Sequence, residues 1–203
     1  MITRSIVQGT RIQMLHVILF LCIAFLFGAS LCAQTRNGAD TNKASCTVPQ
    51  DEIAVFAAVH DEHFDNLTVL VTETEPRPLA DSLNLQLAAQ GRGLPLDLRM
   101  DSKEKNRFSC TIRPYVSVRH LHFISPTEER QIFHIGWNEF YRRFGKHADM
   151  ESFSRVGFNS DKTLALVHSS GAVGPNGSAG TLILLQRNGN KWAVKFSLQT
   201  SGV

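Results

Sequence analysis

Histidine is the side chain through which this sequence comes nearest to chemistry. His60 and His63 stand three apart in a segment of helical pattern, so their rings share a face, with Asp61 and Glu62 between them. His120 and His122 stand two apart in an alternating segment and share a face of a strand, and His134 is a candidate to join either pair. Neutral imidazoles hold zinc when several converge with tetrahedral geometry. The His-Glu-x-x-His helix pattern is absent, however, and nothing in the spacing brings the separate pairs together. These five histidines are therefore the candidate metal ligands, set against a plainer reading, which we prefer, of surface or hydrogen-bonded side chains.

Two further groupings invite chemistry and lose to simpler readings. Gly171, Gly174, Gly177 and Gly180 resemble a phosphate cradle, but a strand-like run stands on each side and no lysine lies among them. A nucleotide loop needs a helix N-terminus to receive the phosphate, so a long hairpin loop is expected instead. Ser169 and Ser170 follow His168, yet the Gly-x-Ser-x-Gly elbow is missing and adjacency in sequence does not build a triad. No catalytic residue and no cofactor are expected. Asn66-Leu67-Thr68 and Asn176-Gly177-Ser178 match the glycosylation acceptor pattern, which matters only in a host that modifies exported chains in that way.

The most informative stretch is the first one. Arg4 and Arg11 precede an apolar run from Leu15 to Ala29 that ends in small residues and Leu31-Cys32-Ala33, the layout of a secretory signal peptide cleaved after Ala33. A lipoprotein reading fits poorly, because Leu31 precedes Cys32 where a small residue is needed. The apolar run is also about long enough to span a bilayer, so an uncleaved N-terminal anchor is the alternative. The expected destination is secreted or periplasmic, at the cell envelope. Membrane contact is expected only through this segment, if it is retained.

Loss of Arg4 and Arg11 lowers the basic count from 21 to 19 against 18 acidic residues, and the formal charge from +3 to +1. A nearly neutral chain offers nucleic acid no electrostatic footprint. Arg142, Arg143, Lys146 and His147 form a small basic cluster of the kind that a solvated helix face carries. Of the four cysteines, Cys22 and Cys32 leave with the leader, and Cys46 and Cys110 are expected to form one disulfide in an oxidising compartment. Closing that loop is worth roughly 4 kcal/mol in the chain-entropy model.

The elements follow from periodicity. Residues 34–49 are polar and expected to be a flexible mature N-terminus, ahead of a single domain over 50–203. Helices are expected over 51–64, 79–90 and 133–146, the last with a stripe of Phe133, Trp137, Phe140, Tyr141 and Phe144 that reads as core packing. Strands are expected over 67–74 and 116–125, the latter with Val116, Val118 and Ile124 on one face. Four apolar runs follow, over 153–158, 163–169, 181–186 and 191–198, the last two joined by Asn188-Gly189-Asn190, a strong hairpin signal. Residues 94–113 fit neither period and are expected to be loop with a short strand or helical turn. The fold class is α+β: a single domain, an antiparallel sheet with a C-terminal meander, and about three helices packed on it.

Ser154-Arg155-Val156-Gly157-Phe158-Asn159, Ala165-Leu166-Val167-His168, a glycine-rich loop and Lys191-Trp192-Ala193-Val194 resemble the C-terminal signature of a loose group of exported bacterial proteins of unknown function. In that group a Trp-x-x-Phe-Tyr helix also precedes the signature, as Trp137, Phe140 and Tyr141 do here. The group often carries cysteines in its glycine-rich loop, where this chain has Ala172 to Gly177, so no thiol role carries over. The resemblance implies a compartment and a fold, and no activity. The expected function is a non-catalytic binding or interaction domain at the envelope with a protein or glycan partner; the alternative is a metal-binding protein or metal-dependent enzyme using the histidine pairs.

Overall fold

A computed structural model describes residues 46–203 apart from 64, 65, 118, 119, 173, 176 and 203 and the side chains of His63, Ser201 and Gly202. The expected leader at 1–33, the polar stretch after it to residue 45, the face position of Val118 and the acceptor Asn176 lie outside these residues. The compact unit runs from Ser45 to Val203. It therefore takes in the last residues of the stretch 34–49 expected to be flexible, rather than starting at residue 50. Cys46 and Cys110 lie at disulfide distance with Cα atoms 4.9 Å apart, and the Val48 N–H donates to the Thr111 carbonyl at 2.9 Å. This tether turns Cys46 to Pro49 into part of the fold, with the Val48 side chain in the core.

Five helices and seven strands make up the described chain: α1 (Gln50–His63), β1 (Thr68–Val71), α2 (Asp81–Ala89), α3 (Leu96–Lys105), β2 (Leu121–Ile124), α4 (Pro126–Ile135), α5 (Trp137–Phe144), β3 (Asp149–Phe153), β4 (Gly157–Phe158), β5 (Leu164–Ala172), β6 (Ser178–Asn188) and β7 (Lys191–Gly202). The fold is α+β, as expected. The aromatic stripe expected on one helix is divided between α4 and α5 because Gly136 lies between them at φ 115°, a conformation L-residues rarely adopt. Ser125 caps α4 by accepting the Glu128 N–H at 3.1 Å, with Pro126 in the first turn. The α3 helix replaces the expected loop. Only Leu98 and Ser102 of α3 are buried, too narrow a stripe for periodicity to reveal.

One sheet carries the order β2-β1-β3-β5-β6-β7, with β4 also pairing β5. The β1 strand runs parallel to β2 and β3, and the remaining pairings are antiparallel. The sheet is thus mixed rather than antiparallel throughout. The pairs α2/α3 and α4/α5 are the crossovers that return the chain to the same end of the sheet, as parallel neighbours require. The expected meander is present and longer than its apolar runs, and Asn188 pairs with Lys191 around a two-residue turn in which Gly189 takes φ 61°. The strand expected from Val116 shrinks to β2, and Val116 itself is 95% exposed.

Register decides which helices share a face. Val69 pairs with Met150, Met150 with Ala172, and His168 with Leu182, so these residues and Leu166 lie on one face of the sheet. Its two ends are covered separately: α4 and α5 pack Ile132 and Phe140 on Val69, Val71 and Ile124, while α2 and α3 pack Leu87 and Leu98 on Leu166, Leu182 and Leu184. On the opposite face, α1 brings Val55, Phe56 and Val59 onto Phe153, Val167, Ile183 and Leu185. Between the two helix pairs the first face carries Ser152, Ser170 and His168.

Candidate functional site

A cavity of about 230 Å³ opens where α2 and the segment before it lie over β5, β6 and β7. Leu79, Leu83, Leu166 and Leu182 form its apolar wall, and Arg77, His168, Thr200, Ser102 and Ser154 its polar side. A mostly apolar recess with a few converging polar groups is the usual form of a small-molecule site.

The polar side is built from three elements. His168 reaches it because β5 alternates, leaving Val167 and Ser169 on the opposite face; its Nε2 lies 2.8 Å from Thr200 Oγ1 of β7. Burial, reinforced by the Arg77 guanidinium and partly offset by Glu75, pushes the imidazole down to about 4, so it is neutral near pH 7. Ser154 Oγ accepts the His168 backbone N–H at 2.9 Å and donates to the Arg155 carbonyl at 3.0 Å, which commits the hydroxyl. Arg77 donates to Glu75 Oε1 at 2.8 Å, and Glu75 Oε2 accepts from Ser152 at 3.2 Å. Burial would raise the Glu75 carboxyl, but its bonds with Arg77 hold it below the usual carboxylate range.

Of the two serines beside His168, Ser170 shares its face of β5 and Ser169 does not. Ser169 points to the other face and donates to the buried Glu151. Burial pushes the Glu151 carboxyl up to about 8, against the Ser169 hydrogen bond and with Asp149 and Glu75 adding to the rise.

The histidines named as metal candidates lie apart in environment. His60 is fully buried on α1, whereas His120, His122 and His134 are exposed, and the His122 ring stands 5.1 Å from Phe144. His63 is the last residue of α1, and its side chain lies outside the described residues. Among the described residues no three His, Cys, Asp or Glu side chains are placed to hold a metal ion. The expected glycine-rich loop is a hairpin tip between β5 and β6, with Gly171 and Gly180 inside the strands.

The distinctive Ser154 to Asn159 stretch serves the architecture around the cavity. Arg155 leaves the sheet between β3 and β4, and its Nε and Nη2 donate to Glu52 on α1 at 2.8 and 2.6 Å. The same residue's Nη1 stands 2.7 Å from Cys110 Sγ, and its backbone N–H donates to Asn106 Oδ1 at 2.8 Å. Gly157 lets β4 approach α3: a Cβ there would lie 2.5–2.8 Å from Ser102 Cβ, Cα and N. Phe158 N–H donates to Asp101 at 2.7 Å, and Asn159 Oδ1 accepts the Leu164 N–H at 2.7 Å across the β4–β5 turn.

Fold and site define an α+β domain with a ligand-sized cavity walled by a helix pair and one face of a mixed sheet. No protein-family model matches this chain, nor does any curated protein or solved structure. The cavity escaped the sequence reading because its lining comes from separate elements. One signal was present in retrospect: His168 ends the apolar run Ala165-Leu166-Val167, where a histidine must be buried.

Proposed function

We propose that the protein is exported and acts as a binding domain, taking a small molecule into the cavity beside His168. The observation that carries this reading is the cavity itself, with leucine walls and a neutral imidazole–hydroxyl pair at its polar side. The leader-like first 33 residues and the Cys46–Cys110 pair support export. No helix among the described residues is long and apolar enough to cross a membrane.

Two measurements test the reading. N-terminal sequencing of the chain recovered outside the cytosol should begin at Gln34; recovery of an intact chain in the membrane fraction would replace release with anchoring. A thermal-shift screen of small amphiphiles against the chain from Gln34 onward should return saturable stabilisers, since a ligand at about 100 times its Kd adds about 2.7 kcal/mol. Ala80→Trp, which places an indole at the cavity wall, should abolish those shifts while the unliganded melting temperature holds. Shifts that survive it would place binding elsewhere.

A further inference from the structure

We propose that the ligand of this cavity is an uncharged amphiphile, an apolar body of modest length that ends in a hydroxyl or carbonyl group held by His168 and Thr200. The proposal rests on the cavity being the binding site and adds the chemistry of what enters it.

Size sets the first limit. A cavity of about 150 Å³ lined by apolar side chains holds benzene. The volume here is about 230 Å³, which on the same scale holds about nine non-hydrogen atoms. Leu79, Leu83, Leu166 and Leu182 offer such a body no hydrogen-bonding side chain, so most of it must be hydrocarbon.

Charge sets the second. Arg77 is the cation among the lining residues, and its guanidinium is engaged by Glu75 at 2.8 Å. An incoming carboxylate would have to share that guanidinium with a carboxylate already there, and the two anions repel. An incoming ammonium would meet Arg77 and find no carboxylate among the lining residues. Both ions would also lose their hydration on entering. An uncharged head avoids these costs.

Hydrogen-bonding capacity sets the third. Ser154 has committed its hydroxyl in both directions. The His168–Thr200 pair offers a group both kinds of partner: the neutral imidazole supplies one donor and one acceptor nitrogen, and the hydroxyl supplies one donor and two lone pairs. A hydroxyl head can join that pair in either direction, and a carbonyl can accept from it.

Calorimetric titration of the oxidised chain from Gln34 onward, which contains the whole compact unit, with octan-1-ol, octanoate and octylammonium tests this. These probes share an eight-carbon chain and differ in head charge. Octan-1-ol is expected to bind at least about tenfold more tightly than either ion, and Thr200→Val to weaken it about tenfold, an effect of about 1.4 kcal/mol, in a chain that still unfolds cooperatively. Tighter binding of octanoate or octylammonium would overturn the proposal, as would equal binding of all three. If none binds to a chain whose unfolding is cooperative, the cavity reading fails rather than the head-group argument alone.

Discussion

Arg155 and Glu52 form a two-pronged ion pair in the interior, with Nε and Nη2 donating to the two carboxylate oxygens at 2.8 and 2.6 Å and the Glu52 side chain 1% exposed. The pair links the break between β3 and β4 to α1, so it ties the sheet to the helix packed on its second face. Glu52 also accepts the Val156 N–H at 3.0 Å. Removing Arg155 takes away the two-pronged partner and leaves the buried carboxylate to the Val156 N–H and to Lys105 Nζ, 3.7 Å away. Arg155→Met should therefore cost about 3 kcal/mol in urea unfolding, and the double substitution with Glu52→Met should recover much of that loss. Additive costs would mean that the ion pair contributes no coupling.

Gly157→Ala should destabilise the domain by about 1–3 kcal/mol, the usual cost of overpacking, because backbone atoms of α3 stand where the methyl group would go. Gly93→Ala is the control: the nearest atoms to its Cβ lie 3.9 Å away, in ordinary contact. Equal melting temperatures for the two variants would refute the close approach of β4 to α3.

Glu151 and His168 give stability a pH profile with a worked sign. The folded carboxyl at about 8 lies above its unfolded value of 4.5, so between those values the folded state holds a proton that the unfolded state has lost, and stability falls as pH rises. The folded imidazole at about 4 lies below its unfolded 6.5, so between those values stability rises with pH. The two slopes offset each other from about 4.5 to 6.5, and from 6.5 to 8 the Glu151 slope of about 1.4 kcal/mol per pH unit stands alone. Glu151→Gln, which preserves a partner for Ser169, should flatten that alkaline fall in denaturant titrations at successive pH values. A decline that persists unchanged would assign it to another group.

Thiol titration under denaturing conditions should find no free thiol on Cys46 or Cys110, and replacing both with serine should cost about 2–5 kcal/mol. The loop they close spans a sequence separation of 64, and its removal frees the segment from Cys46 to Pro49. Quantitative labelling of both residues without reductant would exclude the bond.

How much of this was legible in the chain depends on what held each part. The α1 helix and the β6–β7 hairpin announce themselves because apolar spacing and an Asn-Gly turn act locally. The α3 helix does not, since Gly157 and Phe158 of the distant strand β4 hold it, the latter through Asp101, rather than a stripe of its own. The parallel pairing of β1 with β2 and β3 depends on crossovers whose direction no local pattern carries. Of the candidate site, His168 stands out in the sequence beside Ser169, but the partners that define it, Thr200 and Arg77, lie far from it and from each other along the chain.

The largest core cluster has a bearing on when this chain can fold. It sets Val55 and Phe56 of α1 against Ile183 and Leu185 of β6, so a ribosome releases one half of the cluster long before the other. The β5–β7 meander joins neighbours in sequence and closes through short turns, whereas β1 waits for two crossovers before its parallel partners arrive. Folding is expected to start from the late-synthesised end and draw the early segments in afterwards. A nascent chain with that order stays open through most of its synthesis, the condition in which an export channel can thread it.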